Sequence, residues 1–487
     1  MKKKLAVTLV SLLILAFSFA MAPKKANAIP AFAQKYHFSC AVCHTVFPNL
    51  NPFGRAFWRN GFRLPGTNGT PSDATQITDG LSLPNPWPIP VMIEPIIGYQ
   101  HYTNEHVSSA TDAFSAEADL VTAGAFKIYT PLANSISFYV HYNSATTFLK
   151  SNGTSSAPAF AQKQIFASIN GLGSGYGVPS HLLNLKLGEV TTASPYFYRQ
   201  MPFYILGGPV GNGQGLAVGY DGEAANLIHA RNEGFALYGT PGYHLWYKVT
   251  VTNDAGSGTG EAATVVNSSG GDTSVSNAME YSYQLKEYYP IPMGQLEFGY
   301  YGATVAEPFN GNAGSWTNRV TINGVDLDLA NDIYELGLTY MVQSDNHPYG
   351  NPSLPATQLY VGSSNVGNTN SSNGYSTFEV YGRYLFPQIG KGLMLSADYA
   401  QYSWTHKDLQ EGFNQYISST PLCASNSGLY ESGTYASNND CTNEGIKDAF
   451  AINAEYNLAY NAHWYLGYLF TNKSQDDTIG TGLDFAF

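Results

Sequence analysis

Charge is scarce in this chain. Charged residues make up 12% of the 487, where a soluble globular protein carries about 25%. The shortage argues against a charged, water-facing surface. Cysteine is almost absent too, with four in all, which excludes a disulfide-dense secreted scaffold. Behind the first 21 residues no apolar run is long enough to cross a bilayer as a helix. No blade-length or solenoid repeat recurs. The formal net charge is −12, and such an excess of acid argues against nucleic acid as a partner.

Aromatic side chains and glycine take up the slack, with 36 Tyr, 26 Phe and 49 Gly. A chain rich in Tyr and Gly and poor in charge suits a lipid-embedded β-barrel, with an apolar outer face and aromatic girdles at both interfaces.

The N-terminus reads as an export leader. Lys2, Lys3 and Lys4 form a positive n-region, an apolar run follows to Met21, and Ala26-Asn27-Ala28 is a small-x-small cleavage site. An uncleaved anchor is the competing account; the run is short for one, and Pro23 follows it. Residues 1–28 are thus expected to be a signal peptide. Without that leader, which holds five of the 23 basic residues and none of the 35 acids, the net charge is −17.

Residues 29–75 form a distinct segment, and 76–90, with Pro84, Pro86, Pro88 and Pro90, a linker. From Val91 to Phe487 the periodicity is two. Ser135–Tyr142, Leu183–Gly188, Tyr243–Val251, Tyr334–Tyr340, Phe378–Tyr384, Ala454–Tyr460 and Trp464–Phe470 all alternate, so each presents one apolar and one small or polar face. Short turns such as Gln388–Gly392 alternate with long Ser/Asn/Gly-rich loops near 253–277, 345–374 and 405–446. The fold class expected is all-β, a transmembrane antiparallel barrel of about 16 strands, with short turns inside and long loops outside. A soluble sandwich or propeller also has evenly spaced strands. The missing blade repeat and the alternating, aromatic C-terminal strand ending at Phe487 favour the barrel.

One motif states its chemistry. Cys40-Ala-Val-Cys43-His44 places two thiols at i and i+3 beside an imidazole, the spacing that binds one haem c through two thioethers with His44 as proximal iron ligand. A thioredoxin-type pair would want a βαβ surround, and a zinc site a second Cys/His pair; neither is present in the sequence. The distal ligand is open among the other histidines and Met92, Met201, Met279, Met293, Met341 and Met394. Met201, in the non-alternating run Tyr196–Tyr204, is the distal candidate singled out, with loop packing as the competing account. His101, His106, His141 and His244 lie in or beside strands, as lumen or girdle residues.

About 45 residues supply too little core to fold alone without a staple. Residues 29–75 are therefore expected to plug the lumen, which some barrels fill with their own chain. Arg55, Arg59 and Arg63 recur every four residues, which would stack them along a short helix, facing haem propionates, lumen carboxylates or water. Cys423 and Cys441 share one long loop, and in an oxidising exterior they are expected to pair as a disulfide.

Ile29–Tyr36, Cys40–His44, Phe47–Phe57 and Asn60-Gly61-Phe62, followed by a barrel of about 400 residues, resemble the fused outer-membrane monohaem cytochrome–porins of iron-oxidising bacteria. The specific motif spans residues 29–63; beyond it the likeness is one of architecture. The resemblance implies an oxidoreductase that takes an electron from extracellular Fe(II) and delivers it through the haem to a periplasmic c-type cytochrome or copper protein. It carries Cys40 and Cys43 over as thioether sites and His44 as proximal ligand. It carries over no residue for docking Fe(II). A conduit for another extracellular donor or acceptor, a diffusion porin with a haem-bearing plug, and a secreted cytochrome with a β-domain are the competing functions.

Overall fold

The computed structural model describes residues 32, 36, 38–46, 49–64, 75–78, 81–83, 91–102, 112–128, 130–150, 159–191, 231–253, 279–311, 314–346, 358–361, 363–368, 371–406, 448–459, 462–471 and 478–485. The leader, Met201, Cys423 and Cys441 lie outside the described residues.

Sixteen strands close into one antiparallel barrel. They are β1 (Met92–Tyr102), β2 (Asp112–Lys127), β3 (Ser135–Lys150), β4 (Ala159–Asn170), β5 (Asn184–Thr191), β6 (Arg231–Gly239), β7 (Leu245–Asn253) and β8 (Met279–Ile291). The second half is β9 (Gly294–Gly311), β10 (Gly314–Ala330), β11 (Tyr334–Asp345), β12 (Asn373–Phe386), β13 (Leu393–Trp404), β14 (Asp448–Ala459), β15 (Ala462–Thr471) and β16 (Thr478–Phe485). Each strand pairs with its chain neighbour, and β16 closes on β1, with Asp484 opposite Ile96 and Thr478 opposite Tyr102. Closure leaves no unpaired edge, which a strand in hydrocarbon cannot tolerate.

The burial pattern is the reverse of a soluble protein's. On β8, Glu280, Ser282, Gln284 and Lys286 are buried, while Met279, Tyr281 and Leu285 between them are exposed. On β11, Leu336, Leu338, Tyr340 and Val342 face out, and Glu335, Thr339, Met341 and Gln343 face in. A period of two thus sorts polar groups to the lumen and apolar groups to a continuous outer band, the surface of an outer-membrane barrel. Among the described residues no helix is long and apolar enough to cross a membrane; the strands do so.

Connections follow the expected asymmetry. At the end where the chain enters β1 and leaves β16 most are short: 128–134, 240–244, 292–293, 331–333, 387–392 and 460–461, with 171–183 the longest. At the opposite end lie 192–230, 254–278, 346–372 and 405–447. The two-residue link 312–313 also sits there, because β9 and β10 extend their ladder to Gly311 opposite Gly314. The 346–372 connection carries a small ribbon, Gln358–Val361 against Ser364–Asn368. Another ribbon, Thr75–Thr78 against Leu81–Leu83, interrupts what the prolines made look like uniform linker. Thr-Gln-Ile-Thr and Leu-Ser-Leu are short β-prone runs around an Asp79-Gly80 turn signal.

Candidate functional site: the Cys40–His44 motif and the helix that follows it

Cys40–Val42 form a single 3-10 turn, closed by the Cys43 amide donating to the Cys40 carbonyl at 3.2 Å. His44 then begins a two-stranded ribbon, His44–Val46 against Asn49–Leu50, with His44 opposite Leu50. The ribbon returns the chain to helix α1 (Pro52–Arg59). Asn51 caps α1: its side-chain oxygen accepts from the Gly54 amide at 2.9 Å, and Pro52 sits at the first helical position, where its missing N–H is not needed.

Asn51 and Gly54 also bind the motif to the helix. The Asn51 amide donates to the Cys43 carbonyl at 2.9 Å, and its side-chain NH2 donates to the carbonyls of Val42 and Ala41 at 3.1 and 3.3 Å. A Cβ on Gly54 would collide with the Cys43 carbonyl oxygen. One asparagine thus caps the helix and orients the turn that carries both thiols.

The thiols are unpaired and of intermediate burial. Burial pushes both above the ordinary thiol range, Cys43 to about 11, with the neighbouring Cys40 adding to the rise. A redox-active pair needs a thiolate at low pKa, so the environment disfavours thiol–disulfide exchange. The donor set, two thiols on one turn and an adjacent imidazole, fits a covalently held haem. Among the described residues no cluster of three His, Cys, Asp or Glu is placed to hold a metal ion.

Arg55 and Arg59 fall on lumen carboxylates, one of the three expected possibilities. Arg55 Nη1 donates to Asp328 on β10 at 2.7 Å, and its other terminal nitrogen pairs with Glu335 on β11. Arg59 makes a fork with Glu297 on β9, Nη1 to Oε2 at 2.8 Å and Nη2 to Oε1 at 2.6 Å. Its guanidinium also lies against the rings of Tyr288 and Trp246, at 5.0 and 5.4 Å. Lys286 on β8 pairs with Glu297 at 3.1 Å and with Asp326. Arg383 on β12 pairs with Glu335. Tyr381 donates to Asp328 at 2.5 Å or to Glu335 at 2.7 Å, which sets their spacing.

Arg63 departs from the expected helical stack. The helix stops at Arg59, where Asn60 caps it and Gly61 and Phe62 both take positive φ, +66° and +60°. The Gly61 and Phe62 amides return to the carbonyls of Trp58 and Phe57, both at 3.0 Å, the closing pattern of a helix C-terminus. Arg63 is turned onto the Ser180 carbonyl at 3.1 Å and the Asn184 side-chain oxygen at 2.9 Å. Phe62 tolerates its conformation because it is 2% exposed and stacks on Tyr139 of β3 and Phe166 of β4, with centroids at 6.1 and 6.2 Å. Phe32, Phe57 and Trp58 complete that cluster.

The segment therefore touches the inner wall on opposite sides, by aromatic packing at β3–β4 and by ion pairs at β8–β12. Those strand residues sit next to the short turns, so the contacts ring that mouth of the barrel. Of the methionines weighed as distal ligands, Met92, Met341 and Met394 are buried, while Met279 and Met293 are exposed. His141 lies 2.7 Å from Asp119, inside the wall of β2 and β3.

No family model matches the chain, and no curated protein does. Among solved structures it is similar to OmpF of Salmonella typhi (11% identity, 84% of this chain and 98% of that one, TM-score 0.45). It is also similar to OprB of Pseudomonas putida (7% identity, 82% and 94%, TM-score 0.48) and to OmpT, an outer membrane protein of Vibrio cholerae (8% identity, 82% and 99%, TM-score 0.42). At such identities the likeness is one of barrel fold.

Proposed function

We propose that this outer-membrane barrel is an electron conduit, with one haem c covalently bound at Cys40 and Cys43 and with His44 as proximal ligand. Extracellular Fe(II) is the donor that the sequence resemblance implies, and a periplasmic c-type cytochrome or copper protein the acceptor. One observation carries the reading. The Cys40–His44 turn is fastened through Asn51 and Gly54 to α1, and α1 is ion-paired to the inner wall. A freely diffusing solute needs no such fixture across its route. An electron carrier needs a fixed one, because transfer depends on distance.

The haem, when bound, supplies the one-electron couple. The chain's part is to hold the two thiols on one turn and to fix the imidazole next to them. The barrel replaces the insulating bilayer, about 25 Å of hydrocarbon, with a polar lumen. Oxidising iron outside also keeps poorly soluble Fe(III) out of the cell.

A second reading, a diffusion porin with a haem-bearing plug, draws on the closed sixteen-strand barrel itself. The two part in one experiment. Purified protein in detergent is assayed for covalent haem by denaturing-gel haem stain and then mixed with Fe(II) in stopped flow. Haem reduction, abolished in His44→Ala, supports the conduit. Solute flux into liposomes without haem reduction supports the porin. Protein that retains no covalent haem defeats both versions of the haem.

A further inference from the structure

The aromatic cluster that seats α1 against β3 and β4 holds rings of two kinds. Phe57, Phe62 and Phe166 are inert to mild one-electron oxidants, whereas Trp58 and Tyr139 can each give up an electron. Those two meet edge to face, with centroids 5.2 Å apart. Phe62 and Phe166 stack on Tyr139 at 6.1 and 5.5 Å. Tyr139 is buried, so apolar rings rather than water surround it.

Tyr139 also has a base beside it. Its hydroxyl lies 3.4 Å from Nδ1 of His141, the next inward residue of β3. Nε2 of His141 lies 2.7 Å from Oδ2 of Asp119 on β2, and Oδ1 of Asp119 accepts from Asn143 at 2.6 Å. Asp119 and His141 are both 0% exposed. A carboxylate only accepts, so the imidazole proton sits on Nε2 and Nδ1 is the bare nitrogen. The Tyr139 hydroxyl therefore donates to Nδ1. A carboxylate behind an imidazole fixes its orientation and steadies the cation it becomes on taking a proton. Packing alone needs no more than a hydrogen bond; an oxidised phenol, which sheds its proton at once, needs a base already in place.

The helix links this pair to the thiol turn. Trp58 lies on α1, seven residues beyond Asn51, about 10 Å along the axis, and the Asn51 amide holds the Cys43 carbonyl. We propose that Trp58, Tyr139 and His141 form a relay that drains strong one-electron oxidants, of the class that peroxide generates at a haem, away from the Cys40–Cys43 turn. One electron passes from Trp58 to the oxidant and another from Tyr139 to Trp58, while the Tyr139 hydroxyl proton moves to Nδ1 of His141. The oxidant ends reduced by one electron and Trp58 ends unchanged. Tyr139 ends as a neutral phenoxyl radical, and the positive charge rests on His141 beside Asp119. This role rests on the conduit reading, since a redox cofactor at that turn is what meets such oxidants.

The test dispenses with the haem, so a chain that lacks covalent haem faults the conduit and leaves the relay to be judged by itself. A ruthenium photosensitiser is attached to Cys40 of the full haem-free chain in detergent, with Cys43, Cys423 and Cys441 replaced by serine. Flash-quench oxidation is followed by transient absorption and electron paramagnetic resonance. The expected result is a tyrosyl radical that forms with a solvent deuterium isotope effect. In Tyr139→Phe a tryptophan radical replaces it. Trp58→Phe slows its formation, and His141→Phe slows it at least about tenfold and removes the isotope effect. A tyrosyl radical undiminished in Tyr139→Phe, or formed as fast in Trp58→Phe or His141→Phe as in the parent, overturns the relay. Should these variants misfold, the parent chain decides: a nitroso spin trap present during the flash should leave its adduct on Tyr139, read by peptide mass spectrometry. Adducts on Tyr36 or other tyrosines, with none on Tyr139, overturn it.

Discussion

Arg59 and Glu297 form a two-pronged ion pair across the inside of the barrel, at 2.6 and 2.8 Å, with both side chains almost wholly buried. They are 238 residues apart in the chain, so the pair joins the first helix to the ninth strand. Lys286 shares the same carboxylate. Removing one member of a buried pair costs about 3–5 kcal/mol where the other charge is left uncompensated, as Arg59 is when Glu297 goes; removing Arg59 costs less, because Glu297 keeps Lys286. Arg59→Ala is therefore expected to lower thermal stability and to free the segment for proteolysis from the short-turn side. Glu297→Gln should do likewise, while Arg59→Leu/Glu297→Leu should cost less than the sum of the two single changes, because no orphan charge remains. Limited proteolysis and melting of the four proteins check this; equal protection in wild type and Arg59→Ala would sink it.

Gly54 offers a sharper test of how the motif is held. Alanine is the better helix former by about 1 kcal/mol, so on propensity alone Gly54→Ala should stabilise α1. The Cys43 carbonyl occupies the space the new methyl needs. The expected outcome is a lower yield of covalent haem in a barrel of nearly normal stability, measured by haem stain per folded protein. A haem yield equal to wild type would show that the turn does not depend on this contact.

The barrel was legible because its rule is local. A period of two, applied to residues such as Tyr334–Tyr340, assigns inner and outer faces without knowledge of neighbours. The Cys40–His44 motif is equally local, since the two thiols and the imidazole lie within five residues. The partners of Arg55 and Arg59 were not. Asp328, Glu335 and Glu297 look like any inward acid of an alternating strand, and which acid meets which arginine depends on strand register around the closed barrel. Arg63 misled because a four-residue spacing ignores the helix stop, although Asn60-Gly61 is a readable stop signal.

The outer band makes a depth-dependent prediction. Leu338 on β11 is flanked by Leu336 and Tyr340 on the same face, all exposed. An arginine there faces hydrocarbon, at about 2–4 kcal/mol near the bilayer midplane. Leu338→Arg should therefore fold less stably in lipid vesicles than wild type, by an amount that shrinks when the same change is made at Tyr281, close to the long-loop end of β8. Urea unfolding in vesicles measures both. Equal losses at the two positions would contradict the assignment of this face to lipid.

The raised thiol of Cys43 can be read directly on haem-free protein. Its ordinary value near 9.0 moves to about 11 through burial, with Cys40 adding to the effect. At pH 8 the thiolate fraction then falls about a hundredfold below that of a free cysteine. Since only the thiolate reacts with iodoacetamide, Cys43 should be alkylated about a hundredfold more slowly at pH 8 and should catch up as pH rises through about 11. Unfolding in urea should restore the ordinary rate, which separates environment from any intrinsic effect of the sequence. A folded, haem-free chain whose Cys43 reacts at pH 8 as fast as free cysteine would mean that the thiol is not protected, and that a redox role for the pair has to be reconsidered.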